Sequence, residues 1–249
     1  MINNLYNKIK VKFFLTLLNF YYLFKLNKKE KKIVDKCDNY DFQTTQKNIL
    51  RNNIDILNIL KKNHILGDFV ECGVYKGITL VFFQKYIEIN SLENIKIYGF
   101  DTFQGIPEPS HKDIDIYGKS MKDMFEKHKI NKESSSWNNS SLEDVKSNFY
   151  NNTKSNNNLI LIKGLVEETL VKKDNIPQKI SLLKLDTSLY EGTKIELQIL
   201  FPKMQKGGII LVEGYFKFLG VKKAVDDFFN SKNYLIKYKK ILGRAIIYL

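Results

Sequence analysis

The 249-residue sequence predicts a doubly wound α/β fold: a mostly parallel seven-stranded sheet with a C-terminal antiparallel hairpin, preceded by N-terminal helices. Three observations predict it. Short apolar runs bounded by glycine or polar turns alternate with stretches of helical period, as in a parallel sheet covered on both faces. Acids recur at or near the ends of those runs, at Glu71, Asp101, Asp186 and Glu213. The chain then closes on "YLIKYKKILGRAIIYL", two β-rich runs joined at Gly243, which reads as an antiparallel hairpin.

Composition bounds what such a chain does. A hydrophobic fraction of 43% excludes a wholly disordered chain and supports a sizeable core. Two cysteines, Cys37 and Cys72, argue against a disulfide framework or a cysteine-based zinc site, so a reducing, cytoplasmic setting is expected. The net charge of +13 is concentrated at one end: residues 1–33 hold eight Lys and one Glu, or 8 − 1 = +7. With only Arg51 and Arg244 available for bidentate recognition, nucleic acid is not the expected partner.

Residues 1–45 form a basic and apolar helical segment. Its run "VKFFLTLLNFYYLFKL", Val11–Leu26, is shorter than the ~20 residues that span a bilayer. Two readings stay open for residues 11–32: a helix packed on its own domain or on a second copy, giving a homodimer, or one lying on an anionic membrane surface. Residues 46–249 carry the main domain. From about Asn48, Ile49, Ile54, Leu57 and Leu60 mark a helix. "GDFVECGVY" (Gly67–Tyr75) is a strand running into a glycine turn, "GITLVFFQKYIEI" a helix, and "IKIYGFDTF" (Ile95–Phe103) a second strand. Residues 104–140 are polar without a strong period and read as a lid or substrate insertion. "SLEDVKSNF" opens a helix with Ser141 as N-cap and Asp144 three residues on. "NLILIKG", "KISLLKLDTSLY" and "GGIILVEGY" are three further strands, with helices in "VEETLVKK", "GTKIELQILFPKM" and "VKKAVDDFFNSK".

In doubly wound sheets, ligands bind beyond the carboxyl ends of the strands, where the strand order reverses. There Gly73 permits close backbone approach and Gly77 relaxes the next helix start, although the turn is not the glycine-rich pyrophosphate fingerprint. Asp101 is suited to accept hydrogen bonds from a ribose diol. Asp186 ends a run that is otherwise apolar, so its charge needs a partner, a metal or a wet mouth. Glu213 follows 27 residues later. Two such acids suit a hard divalent ion less well than three, and both also fit as solvated loop acids.

The ordered segments "DFVECGVYKGITLVFF", "YGFDTFQGIPEP", "WNNSSLEDVKSNF", "IKGLVEETL", "LLKLDTSLYEGTKIELQILFPKMQKGGIILVEGY" and "GVKKAVDDFF" resemble those of macrocin-type O-methyltransferases. These are class I, Rossmann-like enzymes that methylate sugar hydroxyls with S-adenosylmethionine. The resemblance covers roughly Gly67 to Phe229. It implies that Glu71, Gly73 and Tyr75 lie in the turn that binds the methyl donor. It likewise puts Asp101 with Thr102 at the ribose, Gly164 near the adenine, and Asp186 at the donor and acceptor. It further implies a magnesium site at Asp186 and Glu213. There the family pattern departs, because Gly214 replaces an expected acid and Ser188 another.

A sugar hydroxyl needs a base or a metal to attack a methyl group. Asp186 is the expected base and metal ligand, with His111, Asp113 and Asp115 of the insertion as alternates. The acceptor sugar of a surface polysaccharide, a sugar nucleotide or a secondary metabolite fits equally. A non-catalytic scaffold that still binds S-adenosylmethionine is the competing reading.

Overall fold

The computed structural model describes residues 2–38, 44–92, 94–155, 157–234 and 238–249, with the side chains of 2–12 and 44–46 outside the description. The chain divides into two compact units, residues 1–57 and 58–249.

In the first unit, α1 (Ile2–Lys25) and α2 (Lys28–Asp38) are separate helices, followed by α3 (Thr44–Lys62). The break falls at Asn27, whose side-chain carbonyl accepts the N–H groups of Lys29 and Glu30. Glu30 returns a carboxylate to the Asn27 N–H at 2.8 Å. This reciprocal cap satisfies donors that a continuous helix would not expose, and it starts α2 afresh. One face of α1 turns to α3: the Tyr22 hydroxyl donates to Asp55 at 3.0 Å and Lys25 pairs with the same carboxylate.

The second unit is built on a seven-stranded sheet of order β3-β2-β1-β4-β5-β7-β6. The strands are β1 (Asp68–Cys72), β2 (Ile97–Asp101), β3 (Leu159–Lys163), β4 (Ile180–Leu185), β5 (Met204–Val212), β6 (Tyr238–Ile241) and β7 (Arg244–Tyr248). The first five run parallel, and β7 returns antiparallel to β5 and β6. The expected sheet and its terminal hairpin are therefore present. All six residues of β4 are buried, because helices cover both faces and leave no side for alternation.

The order reverses between β1 and β4, which makes their carboxyl ends the switch point. Register levels the strand ends: Cys72 is opposite Leu185, and Leu185 opposite Val212. Gly73, Asp186 and Glu213 thus leave three adjacent strands side by side.

The remaining helices are α4 (Ile78–Asn90), α5 (Met121–His128), α6 (Leu142–Asn152), α7 (Val166–Thr169), α8 (Tyr190–Leu200) and α9 (Leu219–Ser231). The predicted cap of α6 is a full capping box between Ser141 and Asp144. Two elements differ from expectation. Helix α5 lies inside the polar insertion, where two buried apolar residues one turn apart, Met121 and Phe125, are too few to show a period. The helix expected over "VEETLVKK" is a single turn, because the Asn175 side chain caps the Thr169 carbonyl at 2.8 Å.

Candidate functional site

A cleft opens at the carboxyl ends of β1, β2 and β4, enclosing about 810 Å³ of empty volume with its solvent-filled mouth. Backbone geometry builds it first. The Gly73 N–H donates to the Phe100 carbonyl and the Asp186 N–H to the Cys72 carbonyl, each at 2.8 Å. Gly73 sits at φ +86°, and a Cβ there would stand 2.5 Å from the Asp186 carbonyl oxygen. Only glycine fits, because the β1 turn and the β4 turn touch backbone to backbone.

Asp101 then ties the β1 turn to β2. One carboxylate oxygen accepts the N–H groups of Val74 (2.6 Å) and Tyr75 (3.0 Å), and the other accepts that of Phe103 (2.7 Å). The Thr102 hydroxyl donates to the Gly105 carbonyl at 2.7 Å, anchoring the start of the insertion. Three non-glycine residues around this mouth hold positive φ: Tyr75, Phe103 and Ser188. Such conformations persist where surrounding contacts over-determine them.

The charges beneath the cleft are paired. Lys184, on buried β4, places its ammonium 2.7 Å from Glu71 and 2.6 Å from Asp186. Burial pushes the Glu71 carboxyl up, and Lys184 opposes that shift. Burial likewise pushes Asp186 up to about 7, with Lys184 pulling it down and Glu213 pushing it further up. Attraction to Asp186 and Glu71 outweighs burial at Lys184 and holds it cationic. One strand pair away, the Arg244 guanidinium donates to Glu213 at 3.0 Å. Arg244 is fully buried, and it precedes Ala245, the β7 partner of Val212.

These residues do not fit a divalent-ion cage. Each strand-end acid already faces a buried cation, Asp186 with Lys184 and Glu213 with Arg244. Gly214, where the resemblance expects a further acid, sits at φ +74° with a Phe218 ring carbon 2.8 Å from where a Cβ would be. Among the described residues, no group of three or more His, Cys, Asp or Glu could hold a metal ion.

Gly73, Tyr75, Asp101, Thr102, Gly164 and Asp186 all line the cleft. Glu71 does not: it is buried below, engaged by Lys184. Glu213 is also outside the lining. Of the alternates, His111 is exposed. Asp115 caps its own turn through the Tyr117 and Lys119 N–H groups. Asp113 is buried, accepting from Ser110 and from the Tyr190 N–H at 2.7 Å, so it fastens the insertion to the start of α8. Sequence reasoning missed Lys184 and Arg244. The signal was a lone cation within each of the runs "SLLKL" and "RAIIYL", which burial obliges to find a carboxylate.

Residues 25–248 match the family described as macrocin-O-methyltransferase (TylF). The chain is 28% identical over 166 residues to demethyldecarbamoylnovobiocin O-methyltransferase of Streptomyces niveus, covering 67% of this chain and 59% of that protein. It is 24% identical over 149 residues to 8-demethyl-8-(2,3-dimethoxy-alpha-L-rhamnosyl)-tetracenomycin-C 4'-O-methyltransferase of Streptomyces olivaceus, covering 60% and 53%. In both cases the match spans less than two-thirds of the relative's length. The fold is similar to that of the O-methyltransferase NovP, with TM-score 0.67, 23% identity and coverage of 80% and 77%. It is also similar to the calicheamicin methyltransferase CalS11, with TM-score 0.55, 19% identity and coverage of 88% and 91%. At these identities the structural likenesses show the shared Rossmann-like fold.

Proposed function

The chain belongs to the macrocin-O-methyltransferase (TylF) family, and on that premise we propose that it transfers a methyl group from S-adenosylmethionine to a sugar hydroxyl. The observation that carries this reading is the cleft at the β1–β4 switch point, where Gly73 allows backbone approach and Asp101 stands one strand away. Tyr75, Asp101, Thr102 and Gly164 are the residues that would hold the donor. Bound S-adenosylmethionine supplies an electrophilic sulfonium methyl, its sulfur leaving as a neutral thioether.

Asp186 is the base in this reading. Its side chain is about one-third exposed, toward the cleft. A carboxylate poised near neutral pH is matched to accepting the hydroxyl proton as the new C–O bond forms. Lys184 holds that carboxylate in place, and it balances charge while the base is ionised. Proton removal then needs only this pair. The insertion contributes Gly105, Ile106, Pro107 and Asn138 to the cleft wall, which makes it the element that selects the acceptor. A surface polysaccharide, a sugar nucleotide and a secondary-metabolite sugar remain the acceptor classes to compare.

Calorimetry with S-adenosylhomocysteine tests the donor site, and no heat from well-folded protein would count against it. Asp186→Asn is expected to lose on the order of 10²–10⁴-fold in turnover while keeping that binding. Near-normal turnover would remove Asp186 from the role. One observation favours a second reading, a non-catalytic scaffold: Asp186 is already engaged by Lys184. Donor binding without turnover of any of the three acceptor classes would support it.

A further inference from the structure

We propose that α1 is a membrane-surface anchor that lays its outer face on anionic lipid. Between Phe13 and Phe24 the helix is apolar almost all round, and among the described residues its side-chain bonds to α3 lie on one face. That partnered face carries Tyr22, bonded to Asp55, and Asn19, which accepts from Arg51. The opposite face presents Phe13, Leu17, Phe20 and Phe24 at one-turn spacing, with Phe14 and Tyr21 beside them. All six are exposed, Phe24 by 77% and Phe13 by 65%. Contiguous exposed apolar surface of this kind marks an interaction site, whereas scattered exposed residues do not.

Charge selects the occupant. Lysines flank the stripe on both sides: Lys8, Lys10 and Lys12 before it, Lys25, Lys28, Lys29, Lys31 and Lys32 after it. Pairing two copies through this face would bring together two segments of net charge +7, which repel at short range. An anionic bilayer attracts the same lysines and accepts the aromatic rings at its headgroup boundary. Among the described residues no helix is long and apolar enough to cross a membrane, so the contact lies in the surface plane.

The test is flotation of the full chain on phosphatidylcholine vesicles with and without phosphatidylglycerol. Bound fraction is expected to rise on the order of tenfold or more on the anionic vesicles and to fall at high salt. The triple variant Phe13→Ser, Phe20→Ser, Phe24→Ser, its fold checked by circular dichroism, is expected to lose that binding. Failure of the wild type to float on anionic vesicles would overturn the proposal, as would equal flotation of the variant. So would sedimentation showing a dimer that the variant converts to monomer, because a second copy would then cover the stripe. None of these readouts depends on methyl transfer.

Discussion

The Arg244 guanidinium on β7 stands 3.0 Å from the carboxylate of Glu213 at the end of β5, and no part of the arginine side chain reaches solvent. This pair joins the antiparallel hairpin to the row of strand ends that carries the cleft. Removing one member leaves the other charge mostly buried without compensation, so Arg244→Ala is expected to cost about 3–5 kcal/mol in denaturant unfolding. A loss within experimental error would mean that Glu213 is solvated and the pair is incidental. Because both strand-end acids are already paired, the methyl transfer proposed for this chain is expected to survive treatment with a chelator. Collapse with EDTA and recovery with magnesium would show that an ion displaces Lys184 or Arg244.

The second expectation concerns pH. In its proposed role as base Asp186 works only when ionised, and burial holds its carboxyl up at about 7. Plots of kcat/KM should therefore fall as pH drops below about 7 and level off above it. Lys184 pulls that value down, so Lys184→Met should move the acidic limb upward, by on the order of one pH unit. A limb that stays in place, in a variant that is still folded, would show that Lys184 only supports Glu71 structurally.

Glu196 supplies a stability test just behind the cleft, within electrostatic reach of Thr187 and Asp186. It lies within α8 with none of its surface exposed, and burial raises its carboxyl to about 8. For an acid whose folded value is raised, the folded state binds the extra proton between the unfolded and folded values. Stability therefore falls as pH rises from about 4.5 toward 8. Glu196→Gln removes that slope, and by about pH 8 it should be more stable than wild type by on the order of a few kcal/mol. Parallel stability curves for the two proteins across that window would show that Glu196 finds its charge compensated.

Legibility differed by feature, for physical reasons. A strand run such as "IILV" is apolar because both faces of β5 pack there, and that leaves a mark in one dimension. The Ser141–Asp144 box is a local hydrogen-bond pattern and reads directly. The Asn27–Glu30 box obeys the same rule, immediately after the long apolar run. Asp113 resembled a site residue because a polar insertion conceals which of its acids will be buried.

By itself the sequence determined the strand-and-helix alternation, the glycine turn after β1, the acids near the strand ends and the terminal hairpin. Each follows from local propensity and from the need to cover a parallel sheet. Tertiary structure decided how those acids are used. Lys184 meets Glu71 from 113 positions away, and Arg244 meets Glu213 from 31, because strand order makes β1, β4, β5 and β7 neighbours. Coulomb attraction in a poorly hydrated interior acts on distance in space, and spacing along the chain does not encode it.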